Sequence, residues 1–232
     1  MEAVGALLAL RTTILRLGAR HLEIVAYAVL ISTLIGVTLG IFVSRRRRLG
    51  AVVIGAANVG QAVPSLAVLG LVLPFLGIGP SAAVFALVLR GMLPILNNTY
   101  AGITSVDPAV VEASRGMGMQ GWQVLALVEL PLALPVIMAG IRTATVASIS
   151  LATIAALIGA GGLGELIYQG LAMVDMTRLL AGAIPVAALA VAADALLGWA
   201  QRAAGTATAV SPPGAPSNAA TEAPSARAAG PL

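Results

Sequence analysis

Long charge-free apolar runs alternate along this chain with short intervals where arginines, acids, prolines and glycines gather. Ile24–Ser44 runs 21 residues without a charge, enough to cross the ~30 Å hydrocarbon core of a bilayer. Arg45 to Arg48 end that run. Leu49–Leu89 is charge-free over 41 residues, too long for one crossing and right for two. The turn between them is expected at Pro74–Pro80 (P-F-L-G-I-G-P),. The third span is placed at about Ser81–Tyr100, the fourth from Pro131 to about Ile158, and the last at about Leu179–Ala200. The pattern predicts an all-α membrane protein with about five transmembrane helices.

The intervals divide the rest of the chain. Residues 1–21 are apolar but carry Arg11, Arg16 and Arg20, with no small-residue cleavage site, and read as a segment lying on the membrane surface,. Residues 22–202 form the membrane domain. From Ala203 onward 25 of 30 residues are Ala, Pro, Gly, Ser or Thr, a composition that cannot bury a core, so 203–232 is expected to be a disordered tail. The most polar interval between long apolar regions is Asp107–Pro131. Asp107 can cap free N–H groups and Pro108 suits the first helical position, so a short helix is expected at about Pro108–Arg115. Gly116, Gly118 and Gly121 follow it.

Composition agrees with the pattern. The chain is 59% hydrophobic and 9% charged, where a soluble domain carries about 25% charged residues, and its mean hydropathy is +1.00. It has no cysteine, which excludes disulfides and thiolate metal sites, and a single histidine, His21, which cannot form a histidine cluster,. The net charge of +4 rests on 13 arginines without a lysine. They sit mostly at the ends of apolar runs, so they mark membrane topology rather than nucleic-acid binding.

Polar residues inside the runs are the candidates for a pathway, since in lipid each needs a partner. The second run carries Asn58, Gln61, Pro64 and Ser65, and Pro64 is expected to kink the helix,. Packing through satisfied amides explains the same residues equally well. Arg90 falls near the middle of the third span, where structural pairing is favoured over contact with a solute,. Arg142 is followed by Thr143, Thr145, Ser148, Ser150 and Thr153, a small hydroxyl-rich stretch that can pack closely or line a passage,. Asp194 is expected near the interface at the end of the last span. Gly159–Gly164 fits G-x-G-x-x-G, but the βαβ setting and the later acid are missing, so a break at the end of a helix is the better reading,. Glu165–Arg178 is expected outside the membrane.

Glu112, Ala113, Ser114, Gly118, Val128, Leu130 and Pro131 fall at the spacing E-A-A-(x3)-G-(x9)-I-x-L-P, with Ser114 for the second alanine and Val128 for isoleucine. This resembles the signature of ABC-importer membrane permeases, in which the loop is a cytoplasmic coupling helix that docks on the ATPase. Pro64-Ser65-Leu66-Ala67, L-P-I-L-N-N-T-Y-A-G-I from Leu93, E-A-S-R-G-M-G-M from Glu112 and L-P-L-A-L-P from Leu130 are similar to permeases of osmoprotectant importers for glycine betaine, carnitine or choline. Arg90 departs from that pattern, where an uncharged residue would be expected.

The resemblance implies a bacterial inner-membrane, multi-pass subunit that is not itself an enzyme. Its implied partners are a second permease subunit (a copy or a paralogue), an ATP-binding subunit that holds ATP and Mg, and an extracytoplasmic substrate-binding protein. Glu112, Ala113, Ser114, Gly118, Leu130 and Pro131 would couple to the ATPase, and no cofactor is expected in this chain, which has no G-x-x-x-x-G-K-[ST] phosphate loop,. With Arg45 to Arg48 inside, the Asp107–Pro131 loop also falls inside, the N-terminus outside and the C-terminus in the cytoplasm. A permease for another small solute of the methionine type is the alternative. A stand-alone secondary transporter is disfavoured by the few spans, the scarcity of acids and the lack of a visible inverted repeat.

Overall fold

The computed structural model describes residues 11–208. Helix α1, Arg11–Ser44, is followed by α2 (Arg47–Ala62), α3 (Ser65–Leu76) and α4 (Pro80–Thr104). Two short helices, α5 (Pro108–Gly116) and α6 (Gly121–Val124), precede α7 (Leu130–Ala155). The described part closes with α8 (Gly164–Met173) and α9 (Met176–Thr208). Among the described residues four helical stretches are long and apolar enough to cross a membrane: Arg11–Ser44, Pro80–Thr104, Gly121–Ile158 and Met176–Gly205. The bent pair α2–α3 makes five if it is counted as one span.

Helix α4 packs along α1 on one side and α7 on another, while α9 joins through α7 and α8. Alanines dominate the contact. Ala82, Ala83 and Ala86 of α4 and Ala152 and Ala155 of α7 are buried beside Ile24, Val25 and Ala28 of α1. Glycines set how closely the axes can approach, because lipid gives apolar helices little reason to associate other than tight packing. A Cβ on Gly36 or Gly40 of α1 would stand 2.9 Å from Ile95 or 2.6 Å from Thr99 of α4. A Cβ on Gly140 of α7 would stand 2.7 Å from Asn98 of α4.

Several boundaries differ from the sequence expectation. Residues 11–21 are not set apart, since they belong to a helix that continues unbroken to Ser44. At ~1.5 Å per residue its 34 residues span about 50 Å, more than the ~30 Å core requires, so the charged first turns can stand beyond the hydrocarbon. Residues 1–10 lie outside the described part. Pro64 does more than kink the second run: α2 stops at Ala62 and α3 leaves at 99°. The fourth run begins at Gly121, ten residues before Pro131.

Glu165–Arg178 is not an open connection. Its helix α8 folds back on α9, burying Leu163, Leu166 and Ala181 with Leu17 of α1. The intervening glycines make the reversal, with positive φ at Gly159, Gly161 and Gly162. Gly162 presses on His21, which is buried and has Nε2 3.1 Å from the Ile149 carbonyl oxygen. Ala203 to Thr208, expected in the tail, belong to α9; residues 209–232 lie outside the described part.

The glycine contacts give a direct test. Gly40→Val forces α1 away from Thr99 and is expected to cost about 1–3 kcal/mol, as overpacking does. Gly55→Val, where a Cβ meets nothing within 4 Å, serves as control. Thermal unfolding in detergent should show a clear loss for the first and little change for the second.

Candidate functional site

The polar interval Asp107–Pro131 is built as three consecutive devices. Asp107 accepts a hydrogen bond from the Ala109 N–H at 2.8 Å, and Pro108 opens α5, as the cap chemistry requires,. Ser114 is buried and donates to the Val110 carbonyl at 2.8 Å. Glu112 and Ala113 are exposed. Gly118 then takes φ +87, a left-handed turn that suits glycine, with open space where a Cβ would be,. In the next turn Trp122 donates through Nε1 to Gln120 Oε1 at 2.8 Å. Met117, 76% exposed, and Trp122, 65% exposed, leave apolar surface on a polar loop.

The third device is a π-turn over Leu125–Glu129, in which the Leu130 N–H reaches the Leu125 carbonyl. A proline lacks the N–H and crowds the carbonyl four residues back. Pro131 follows directly, and the wider turn accommodates it without breaking the helix. Leu130 and Pro131 are half-buried. Leu130 packs against the cluster of Ile103, Ala133 and Ile137.

Glu129, which the spacing argument passed over, is buried here. Both its oxygens are held by the Arg45 guanidinium: Arg45 Nη1 lies 3.1 Å from Oε1, and Nη2 pairs with Oε2. The first arginine of the basic run is therefore more than a topology marker. It clamps the end of α1 to the loop's return. An acid beside the helix-entry proline, facing a basic run, was the available cue.

The candidate pathway residues fall into two groups. Asn58, Gln61, Pro64 and Ser65 gather at the α2–α3 bend. Pro64 cannot donate to Gly60, whose carbonyl keeps a 3.3 Å bond from the Val63 N–H, and the following carbonyls at the end of α2 lack helical partners,. Arg90 supplies the replacement, donating from Nη1 to the carbonyls of Gln61 at 2.7 Å, Val63 at 3.1 Å and Gly60 at 3.4 Å. A cation at a helix C-terminus also faces the negative end of the dipole. This accounts for the unexpected charge. Close by, Asn97 donates to Asn58 at 2.7 Å.

Arg142 belongs to the second group. It forms a two-pronged pair with Asp194, Nε to Oδ1 and Nη2 to Oδ2, both 2.6 Å. Helix α9 runs on past the expected span end at Ala200 to Thr208, so Asp194 lies well inside the helix, opposite Arg142. Among the described residues no hydrogen bond or ion pair joins the two groups. A cavity of about 600 Å³ lies over the Arg142–Asp194 pair, lined also by Thr143, Ser150 and Gln201. Another of about 630 Å³, between α1 and α4, is walled mainly by Ile24, Tyr27, Ile31, Ile35, Val84 and Phe85 and offers little to a polar solute.

The family model for the binding-protein-dependent transport system inner membrane component matches residues 32–205. This chain belongs to that family. The permease is 47% identical over 184 residues to the carnitine transport permease protein OpuCD of Listeria monocytogenes, a match covering 79% of this chain and 82% of that relative. It is 45% identical over 185 residues to the glycine betaine/carnitine/choline transport system permease protein OpuCD of Bacillus subtilis, covering 79% and 81%. It is 45% identical over 183 residues to the osmoprotectant import permease protein OsmW of Salmonella typhimurium, covering 77% and 85%.

The fold is similar to that of a solved inward-facing MetNI methionine ABC transporter, with a TM-score of 0.76 at 21% identity over 82% of this chain and 95% of that one. An amino acid ABC transporter solved with histidines gives 0.69 at 20% identity, over 85% and 97%.

The clamp generates a testable expectation. Arg45→Ala leaves the buried Glu129 carboxylate without its cation, at an expected cost of about 1–3 kcal/mol. That range is below the value for fully buried pairs because the Arg45 side chain is 38% exposed,. Adding Glu129→Gln should recover most of the loss in thermal unfolding. Arg46→Ala, which removes only a contact over the Phe42 ring, should do little.

Proposed function

We propose that this permease is the membrane-spanning subunit of an ATP-driven importer for osmoprotectants of the glycine betaine, carnitine and choline class. The observation that carries the reading is the 43–47% identity, over most of the chain, to permeases named for those solutes. ATP and Mg would be bound by a separate ATPase subunit, solute would be delivered by an extracytoplasmic binding protein, and a second permease subunit would complete the passage. The orientation consistent with this puts the Asp107–Pro131 loop and the C-terminus in the cytoplasm of a bacterial cell with the membrane domain multi-pass in its inner membrane.

On this reading Glu112, Ala113, Ser114, Gly118, Leu130 and Pro131 form the coupling loop. Met117 and Trp122 offer the apolar surface against which an ATPase can dock, because exposed aromatic and methionine side chains suit the centre of a protein interface. Ser114 and the Arg45–Glu129 pair hold the loop as a rigid lever, so a push at α5 reaches α1 and α7 together. Asn58, Gln61, Pro64, Ser65 and Arg90 border the passage at the bend. High-affinity recognition of a quaternary ammonium, which favours an aromatic cage, would belong to the binding protein, since the eight aromatic residues of this chain are scattered.

Reconstitution of the permease with its ATPase and binding protein tests the reading. Wild type should take up at least one solute of the class in an ATP-dependent manner. Gly118→Arg should assemble, yet lose most uptake, by about tenfold, while ATP hydrolysis no longer responds to loaded binding protein. Normal uptake and normal stimulation in Gly118→Arg would remove the coupling assignment. Absence of uptake for every solute of the class in wild type would remove the substrate assignment.

A further inference from the structure

Arg142 and Asp194 are charges near the middle of two apolar helices, and their side chains remain 35% and 45% exposed in the chain. A charge inside an apolar span cannot face lipid cheaply, so the pair must face water or protein. The surroundings are shaped for it. A Cβ at position 198, one turn along α9 from Asp194, would stand 3.0 Å from Arg142 Nη1, so glycine there leaves a bare seat for the guanidinium. Thr143, Ser150 and Gln201 add hydroxyl and amide groups to the cavity above. Its volume of about 600 Å³ lies in the ~300–1,000 Å³ range usual for small-molecule sites.

We propose that the Arg142–Asp194 pair is the contact at which the permease's passage receives a zwitterionic solute, its carboxylate taking Arg142 and its fixed cation taking Asp194. The inference rests on the osmoprotectant-importer reading and narrows it to members of the class that carry a carboxylate. The reason is charge balance. The two side chains neutralise each other, so separating them is tolerable only if each gains a new partner. A zwitterion exchanges two contacts for two. A cation without a carboxylate, such as choline, satisfies Asp194 and leaves the guanidinium unpaired. Planar, two-pronged recognition is what arginine offers a carboxylate. Contact would be weak, because each solute contact replaces an existing one, and weak contact suits passage.

Two measurements test this on the permease–ATPase complex in nanodiscs and on the complete importer in proteoliposomes. The parent has no cysteine, so Thr143→Cys places a single thiol beside the pair. A small thiol reagent should modify it, and millimolar glycine betaine should slow that reaction at least about threefold at matched ionic strength, with choline having little effect. No modification, no protection, or equal protection by choline overturns the proposal. In the importer, the charge-free variant Arg142→Gln with Asp194→Asn keeps an amide pair. It should co-purify with the ATPase and lose about tenfold in uptake of glycine betaine or carnitine at saturating binding protein. Unchanged uptake in that assembled variant also overturns it, as does a wild type that imports choline alone. A wild type importing none of the three removes the osmoprotectant reading itself, and the inference with it.

Discussion

Hydrocarbon offers no hydrogen bonds, so each backbone group or charge that leaves regular helix inside the membrane domain needs a partner from the protein. The α2–α3 break shows the constraint at work. Pro64 frees carbonyls at the end of α2, and Arg90, projecting from the neighbouring α4, takes up those of Gly60, Gln61 and Val63. Helix α4 itself is held closely against α1 and α7. That packing depends in turn on glycines such as Gly36, Gly40 and Gly140, where side chains would collide with α4. Bend, cation and small-residue contact are one arrangement.

The same economy governs the Asp107–Pro131 loop. Its helix α5 is capped by Asp107, tightened by Ser114 and turned by Gly118, all local chemistry. What joins it to the membrane domain is longer in range. Arg45 and Glu129 are 84 residues apart in sequence, and their pair fixes the end of α1 to the π-turn ahead of Pro131. A loop held at its return by a half-buried ion pair can transmit a displacement as a body, whereas a loop tethered only by its ends would absorb it. The proposed coupling role therefore depends as much on Arg45 and Glu129 as on the signature residues.

Span number and approximate placement were legible in the sequence because apolar run length maps directly onto bilayer thickness. The α5 cap was legible too, since Asp107 and Pro108 act on adjacent residues. What escaped depended on partners distant in sequence. The Arg90 role could not be read without knowing that the α2–α3 bend lies beside α4. Asp194, in an alanine-rich run, gave no sign that α9 would set it against Arg142. Nor could composition show that Glu165–Arg178 folds back on α9, because Gly170 and Gly182 acquire their meaning only from the backbones pressed against them.

The central claim is that the Asp107–Pro131 loop is the surface on which the ATPase docks. Cross-linking tests it most directly. A photoreactive amino acid in place of Trp122, in the importer assembled in native membranes, should form a covalent adduct with the ATPase subunit. The same probe in place of Gln169, which is exposed on α8 at the opposite end of the bundle on the proposed orientation, should form none. Cross-linking from position 169 to the ATPase, with none from position 122, would contradict the account.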